Sequence, residues 1–324
     1  MDETQHMLAA LNASFPDIAR MEPLAARAAV DARIPPPQNP DDGVTAEDVP
    51  VPAEHGGISV RIYRPHEPYP SAPATVYAHG GGFLHGSIAG HDRFCRLWAA
   101  GTGSTVVSVA YRLAPEHVAP APVTDVVAVA EWLAARDDGS RGLVLAGDSA
   151  GANIAAAAAI ALRESGSTTV AGQVLIYPML DPRMQSESYR LRGEGYFITV
   201  RALRFYWENY LGGPAAEAAA DWHVMPQTAE DHSSLPPSIT ITAGLDPLGD
   251  EGRSYSALMR RSGNTALHRR YPDQFHGFLT MPDYGPGASA REILWADFTR
   301  LFITMNSVTG TVTSTNTTTL EHTS

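Results

Sequence analysis

The sequence predicts an α/β fold, a mostly parallel sheet with helices on both faces, and three observations carry that prediction. Five short runs, residues 74–78, 105–109, 143–146, 173–177 and 238–242, are mostly apolar and rich in β-branched residues, as strands buried on both faces are. Helical stretches separate them, notably 121–136 and 149–164. Strand and helix in alternation build a parallel sheet covered on both sides. An earlier run is different: Ile58, Val60 and Ile62 alternate with Ser59, Arg61 and Tyr63, the period of a half-exposed antiparallel strand.

Taken in order, residues 1–34 read as two helical pieces. Met7, Leu8, Leu11, Phe15 and Ile18 share a face, and Pro16 and Pro23 interrupt the run. Such an opening needs a surface to cover, so residues 1–45 are expected to form a cap segment on a main domain of residues 46–305. The proline-rich stretch 34–40 is expected to be an extended connector. From about 181 to 234 the alternation stops, and Phe197, Phe205, Tyr206, Trp207, Tyr210 and Trp222 crowd a region without a strand pattern. That predicts a helical insertion above the C-terminal edge of the sheet, where a pocket roof would sit. A last strand is expected at 266–271 and a closing helix at 288–303, while the Thr/Ser/Asn-rich stretch 306–324 has almost nothing to bury and is expected to be disordered.

Composition narrows the classes. With 324 residues, 44% of them hydrophobic, and no linker-like break between 57 and 305, one large domain is favoured. A net charge of −12 without a basic cluster argues against nucleic acid or an anionic membrane as partner. The single cysteine, Cys95, rules out an internal disulfide and a multi-cysteine zinc site, and fits a buried thiol in a reducing compartment. The acidic opening lacks the basic and apolar regions of an export signal, and no uncharged run approaches the roughly 20 residues that span a bilayer. A cytoplasmic protein without stable membrane insertion is the expectation.

Gly147-Asp148-Ser149-Ala150-Gly151 stands where a buried strand meets a helix. A serine on so sharp a turn sits in strained backbone with its hydroxyl aimed out of the sheet, and side chains at the flanking glycines would collide with neighbouring elements. The same residue types also make ordinary strand-to-helix turns. The buried strand before and the long helix after, whose first N–H groups and positive dipole end face the turn, favour a nucleophile. A serine hydroxyl then needs a base, an orienting acid and an oxyanion site.

His79-Gly80-Gly81-Gly82-Phe83 follows a strand, and consecutive glycines let backbone N–H groups point into a cavity. A flexible turn or a phosphate loop are the alternatives, the latter disfavoured because no Lys followed by Ser or Thr comes next. Gly81, Gly82 and Ala150 are the candidate oxyanion donors. Among twelve histidines, His276 is singled out by its place just past the last strand. Asp246 follows strand 238–242 at the functional edge of the sheet, whereas Asp250 reads as the N-cap of the next helix. The order Ser149, Asp246, His276 is that of α/β-hydrolases and not of chymotrypsin or subtilisin.

Taken together, His79-Gly80-Gly81-Gly82, Tyr111-Arg112-Leu113-Ala114-Pro115-Glu116, Gly147-Asp148-Ser149-Ala150-Gly151, Asp246-Pro247-Leu248-Gly249-Asp250-Glu251 and His276-Gly277-Phe278 make residues 57–303 resemble the hormone-sensitive-lipase family of α/β-hydrolase esterases. The resemblance implies Ser149 as nucleophile, His276 as base, Asp246 as its partner, and an oxyanion hole of Gly81, Gly82 and Ala150. His79, Gly80, Asp148 and Glu251 stand beside these as supporting residues. It further implies a carboxylesterase that takes a small-molecule, short-chain ester through an acyl-enzyme, with no cofactor and no metal, under a cap made by the first 45 residues and the 181–234 insertion. Two other readings stay open. One is an amidase or formamidase on the same scaffold, which a triad does not exclude. The other is a non-catalytic small-molecule receptor of the same fold, against which the presence of His276 speaks. Self-association as a homodimer is also left open.

Overall fold

The computed structural model describes residues 2–35, 41–214 and 221–304. Two helices open the chain, α1 (Glu3–Ser14) and α2 (Pro23–Asp31). Asp2 caps the first by accepting from the Gln5 N–H, and Pro23 begins the second at a position that needs no amide donor. Strands β1 (Val44–Val51) and β2 (Ile58–Pro65) pair as an antiparallel hairpin. Strand and helix then alternate through β3 (Ala74–Ala78), α3 (Ile88–Thr102), β4 (Val106–Val109), α4 (Ala121–Ala134), β5 (Leu143–Asp148), α5 (Ala150–Glu164) and β6 (Val170–Ile176). Helices α6 (Glu187–Arg192) and α7 (Val200–Leu211) come before β7 (Ser238–Leu245), and α8 (Gly249–Arg261), β8 (Ala266–Phe275) and α9 (Gly285–Phe298) complete the order.

The eight strands form one sheet in the order β1-β2-β4-β3-β5-β6-β7-β8. From β4 to β8 all pairings are parallel, and β2 runs against both of its neighbours. The period of two along a strand sorts side chains into two cores. On β5, Leu143 and Leu145 pack with Val126 and Ile154 of α4 and α5. Val144 and Ala146 face the other way, with Phe94, Trp98 and Trp295 of α3 and α9. Alanine dominates α5 because that helix is buried almost throughout and lies close against the sheet.

Several boundaries differ from the sequence expectation, each for a local reason. Strand β1 was not expected, because Thr45, Ala46, Glu47 and Asp48 are exposed on an edge strand and give no apolar alternation. Strands β7 and β8 run further than their apolar stretches, past a register shift between Ala243 and Leu245. The closing helix starts at Gly285, earlier than expected, and passes at Thr299 into wider turns that reach Thr304. Between β6 and β7 the described residues contain helices and no strand, as expected. Connector residues 36–40 and the Thr/Ser-rich stretch 306–324 lie outside the described residues. Cys95 is buried, which pushes its thiol well above the usual range. Among the described residues no helix is long and apolar enough to cross a membrane.

One close approach sets the geometry of the sheet's centre. A Cβ built on Gly151, in the first turn of α5, would lie 2.0 Å from the Ala78 carbonyl oxygen at the end of β3. A Cβ on Gly147 would lie 2.4 Å from the Gly151 carbonyl carbon. Both obstacles are backbone and cannot swing aside. Gly151→Ala is therefore expected to cost about 1–3 kcal/mol or more, as overpacking of a tight core does. Urea unfolding of the variant checks this; a midpoint equal to wild type would mean that β3 and α5 can part without cost.

Candidate active site

Ser149 occupies the single residue between β5 and α5, with φ 55° and ψ −118°. For a residue with a Cβ this is a costly conformation, kept where the surroundings over-determine it. Here its N–H donates to the Ile176 carbonyl (2.8 Å) and its carbonyl accepts from the Met179 N–H (3.2 Å), both from the end of β6 and just beyond. The hydroxyl is thereby aimed at His276.

The three residues picked out along the chain converge. His276 Nδ1 donates to Asp246 Oδ2 at 2.9 Å, since a carboxylate can only accept. That leaves Nε2 to accept from Ser149 Oγ at 3.0 Å. The second carboxylate oxygen of Asp246 is fixed by the Leu248 N–H (2.9 Å). Ser149, His276 and Asp246 are 6%, 5% and 1% exposed, so the chain of bonds is shielded from competing water. Tyr177, also at positive φ, lays its ring 4.7 Å from that of His276 and hydrogen-bonds Thr280. Sequence reasoning passed over Tyr177; its only signal was its place at the C-terminal end of a buried strand.

Gly81 and Gly82 sit in a tight turn in which the Gly81 carbonyl accepts from the Leu84 and His85 N–H groups. Their own N–H groups have no protein acceptor among the described residues, and both glycines line the cavity beside Ser149. Ala150 is the first residue of α5, where an N–H has no intrahelical partner. Gly82 must lack a side chain: its Cβ would meet the Tyr206 ring at 2.2 Å. Tyr206 in turn hydrogen-bonds His85 (2.7 Å).

The supporting residues separate into two groups. Asp148 Oδ1 accepts from Tyr77 Oη (2.6 Å) and the Gly80 N–H (2.8 Å), tying the nucleophile turn to the glycine loop. His79 closes the start of that loop by bonding the Gly80 carbonyl (2.8 Å) and stacking on Tyr111 at 4.3 Å. Burial first, and then the nearby charge of His91, push His79 down to about 3, so its ring is neutral. Glu251 is elsewhere. It accepts from the Leu180 and Asp181 N–H groups and from Tyr189 Oη, locking α8 to the chain leaving β6.

The expected cap role of Asp250 is corrected. Leu248 holds the N-cap position of α8, because Asp246 already turns the chain there, with its carbonyl accepting from the Gly249 N–H and its carboxylate from that of Leu248. Asp250 lies inside the first turn and bonds the Ser188 N–H (3.0 Å) and Arg253 (2.8 Å).

A cavity of about 570 Å³ opens above Ser149. Leu11, Phe15 and Ile34 from the first 45 residues and Phe197 and Tyr206 from the insertion line its upper part. The two segments hold each other. The Asn12 side chain donates to the Gly195 carbonyl and accepts from the Phe197 N–H, Phe15 and Phe197 meet edge to face at 5.1 Å, and Arg201 pairs with Asp17. Arg27 of α2 reaches below, pairing with Glu116 and donating to the Leu84 and Ala114 carbonyls.

Comparison with known proteins bears on the fold and the family. Residues 75–280 match a family model described as alpha/beta hydrolase fold. The chain is 36% identical over 261 residues to the carboxylic ester hydrolase LipN of Mycobacterium tuberculosis, covering 78% of this chain and 69% of that protein. It is 31% identical to the gibberellin receptor GID1C of Arabidopsis thaliana, covering 78% and 80% of the two chains. Among solved structures it superposes on an ester-hydrolase from the Lake Arreo metagenome, bound to a bipyridine phosphonate derivative, with a TM-score of 0.82 and 32% identity over 92% of this chain and 98% of that one.

Glu251 generates a pH test that is independent of chemistry at Ser149. Burial raises its carboxyl from 4.5 to about 8, outweighing the donors it accepts from. Between those two values the folded state holds a proton that the unfolded chain has released, so stability falls as pH rises through that window. Glu251→Gln removes the titration and keeps the shape. The loss of unfolding free energy from pH 5 to pH 8 is expected to be smaller in the variant than in wild type, and equal slopes would sink the assignment.

Proposed function

Because the chain belongs to the hormone-sensitive-lipase family of α/β-hydrolases, we propose that it is a cytoplasmic serine carboxylesterase acting on short-chain acyl esters. The observation that carries this reading is the hydrogen-bond chain from Ser149 through His276 to Asp246 at the floor of a cavity of substrate size. The lone buried thiol of Cys95 suits a reducing compartment.

In this mechanism Ser149 Oγ attacks the ester carbonyl carbon as its proton passes to His276 Nε2. Asp246 stabilises the imidazolium and keeps Nδ1 protonated throughout, so Nε2 is the only nitrogen that exchanges the proton. Charge develops on the former carbonyl oxygen, and the N–H groups of Gly81, Gly82 and Ala150 receive it. One such donor is worth about 10²–10³ in kcat. Collapse breaks the bond to the alcohol oxygen, which leaves with the proton held by His276. Water, deprotonated by the same nitrogen, then releases the acid and frees Ser149. The similarity to a gibberellin receptor keeps ligand binding without turnover in view. The bonded Ser149–His276 pair favours hydrolysis, since binding alone has no use for a base on the hydroxyl.

Two measurements test the assignment. Ser149→Ala is expected to abolish hydrolysis of p-nitrophenyl esters without lowering the melting temperature, and a fluorophosphonate is expected to label Ser149. Short acyl chains should be preferred to long ones and to matched amides; amides turned over as fast as esters would make the protein an amidase. The two acids are expected to separate cleanly. Asp246→Asn should lose about 10³–10⁴ in kcat, as the amide favours the wrong imidazole tautomer. Asp250→Asn should retain kcat and lose about 0.5–1.5 kcal/mol of stability, the worth of an ordinary hydrogen bond. An inactive Asp250→Asn beside a near-normal Asp246→Asn would overturn the assignment.

A further inference from the structure

Three histidines, His79, His85 and His91, surround the glycine loop, and the mechanism uses none of them. His91 lies in the first turn of α3 and lines the cavity floor together with Asp148 and Gly80. Its Nε2 is 3.3 Å from Asp148 Oδ1, the same oxygen that accepts from the Gly80 N–H and Tyr77 Oη. The His91 ring stacks on His79 at 5.5 Å and lies against Tyr77 at 6.2 Å, so neighbours from the end of β3 fix it from the side. Resting on the esterase reading above, we propose that His91 is a positioning residue for the hydrolysis. It holds Asp148 so that this carboxylate pins the Gly80 amide and, through it, the N–H groups of Gly81 and Gly82 at the developing oxyanion.

The charges around the loop fit that role. Burial works against a charge on His91, but the facing Asp148 carboxylate outweighs it and raises the ring above its usual value. Burial likewise opposes ionisation of Asp148, and the His91 charge with the Tyr77 and Gly80 donors more than offsets it. His79 and His85 are both neutral, pushed down to about 3 and about 4 by burial first and by His91 next. Tyr77 stays protonated, held well above its usual range by burial and by Asp148. On its own helix the adjacent Asp92 is taken by Arg61, Tyr63 and Arg96. Protonated His91 thus faces the Asp148 carboxylate beneath the glycine loop, and loss of that proton leaves Asp148 held by the neutral donors of Tyr77 and Gly80.

The test compares wild type, His91→Gln and His91→Ala on one p-nitrophenyl ester, with kcat and KM taken across pH and melting temperature taken at each pH. Wild-type kcat is expected to fall at alkaline pH to a lower plateau as His91 loses its proton. Glutamine keeps a neutral donor, so its kcat should match that plateau and lack the step. Alanine, with no donor, should fall about 10- to 100-fold below wild type at neutral pH with KM little changed, since a loop misplaced by an ångström costs about that much. A Gln variant with wild-type kcat and the wild-type alkaline step would overturn the proposal. Should neither variant fold, a wild-type kcat that stays level up to the pH of unfolding would overturn it equally. Fluorophosphonate labelling of Ser149 is read in parallel: labelling with unaltered His91 variants refutes this inference alone, and absence of labelling refutes the esterase reading beneath it.

Discussion

The backbone contact between the first turn of α5 and the end of β3 is the constraint on which the site depends. Only glycine at position 151 lets the Ala78 carbonyl come so near, and only that approach puts the loop leaving β3 beside the turn leaving β5. Everything polar in the site then follows from adjacency in the sheet. Strands β3 and β5 are direct neighbours, so Asp148, the last residue of β5, can reach the Gly80 amide. Strands β6, β7 and β8 follow in order on the other side, and the loops after β7 and β8 carry Asp246 and His276 to the same edge. The backbone strain at Ser149 is the local cost of aiming a hydroxyl into this gap.

Electrostatics in the site rest on which buried groups are allowed a charge. A charged group taken out of water is tolerated when an opposite charge or several donors face it. Asp148 has His91, Tyr77 and Gly80; Asp246 has His276 and the Leu248 N–H. Glu251 is held by donors, and burial outweighs them and lifts its carboxyl to about 8. His79 and His85 are driven neutral by burial first and the charge of His91 next, which for His79 outweigh the pull of Asp148. The same physical rule thus sorts Asp148, Glu251, His79 and His85 into different states.

Much of this was legible in the sequence, and what was missed shares a cause. Buried parallel strands announce themselves by unbroken apolar runs, and the serine turn and glycine loop by residues that backbone geometry forces. These are local signals. His91, Tyr177 and the Asn12 bridge to the insertion carry no such mark, because each acts through a partner from a distant part of the chain, brought close only by the fold. For Asp148 the partner is His91, for Tyr177 it is His276, and for Asn12 it is Gly195. Strand β1 escaped for the opposite reason: an exposed edge strand is held by main-chain bonds that any sequence can make. Asp250 looked like a helix cap, since nothing in the spacing reveals that Asp246 has already turned the chain.

The upper and lower halves of the site are held by interactions of unequal strength, which has a consequence for specificity. Below, a buried charge pair orders the glycine loop, and breaking such a pair costs about 3–5 kcal/mol because the remaining charge is stranded. Above, the N-terminal segment and the insertion meet through an aromatic edge-to-face pair, worth about 0.5–1.5 kcal/mol beyond its area, and through a half-exposed ion pair of Arg201 and Asp17, worth about 0–1 kcal/mol. Firmer links run from the N-terminal segment to the base: the Arg27 guanidinium bonds Glu116 and two main-chain carbonyls at once, and the buried Thr4 hydroxyl hydrogen-bonds Tyr284 Oη (2.8 Å). Substitutions among the cap residues that line the cavity can therefore reshape it at small cost in stability, while the bonds that position Ser149, His276 and the glycine loop stay unchanged. On the reading proposed above, the chemistry belongs to the sheet edge and the choice of ester to the side chains that line the upper cavity.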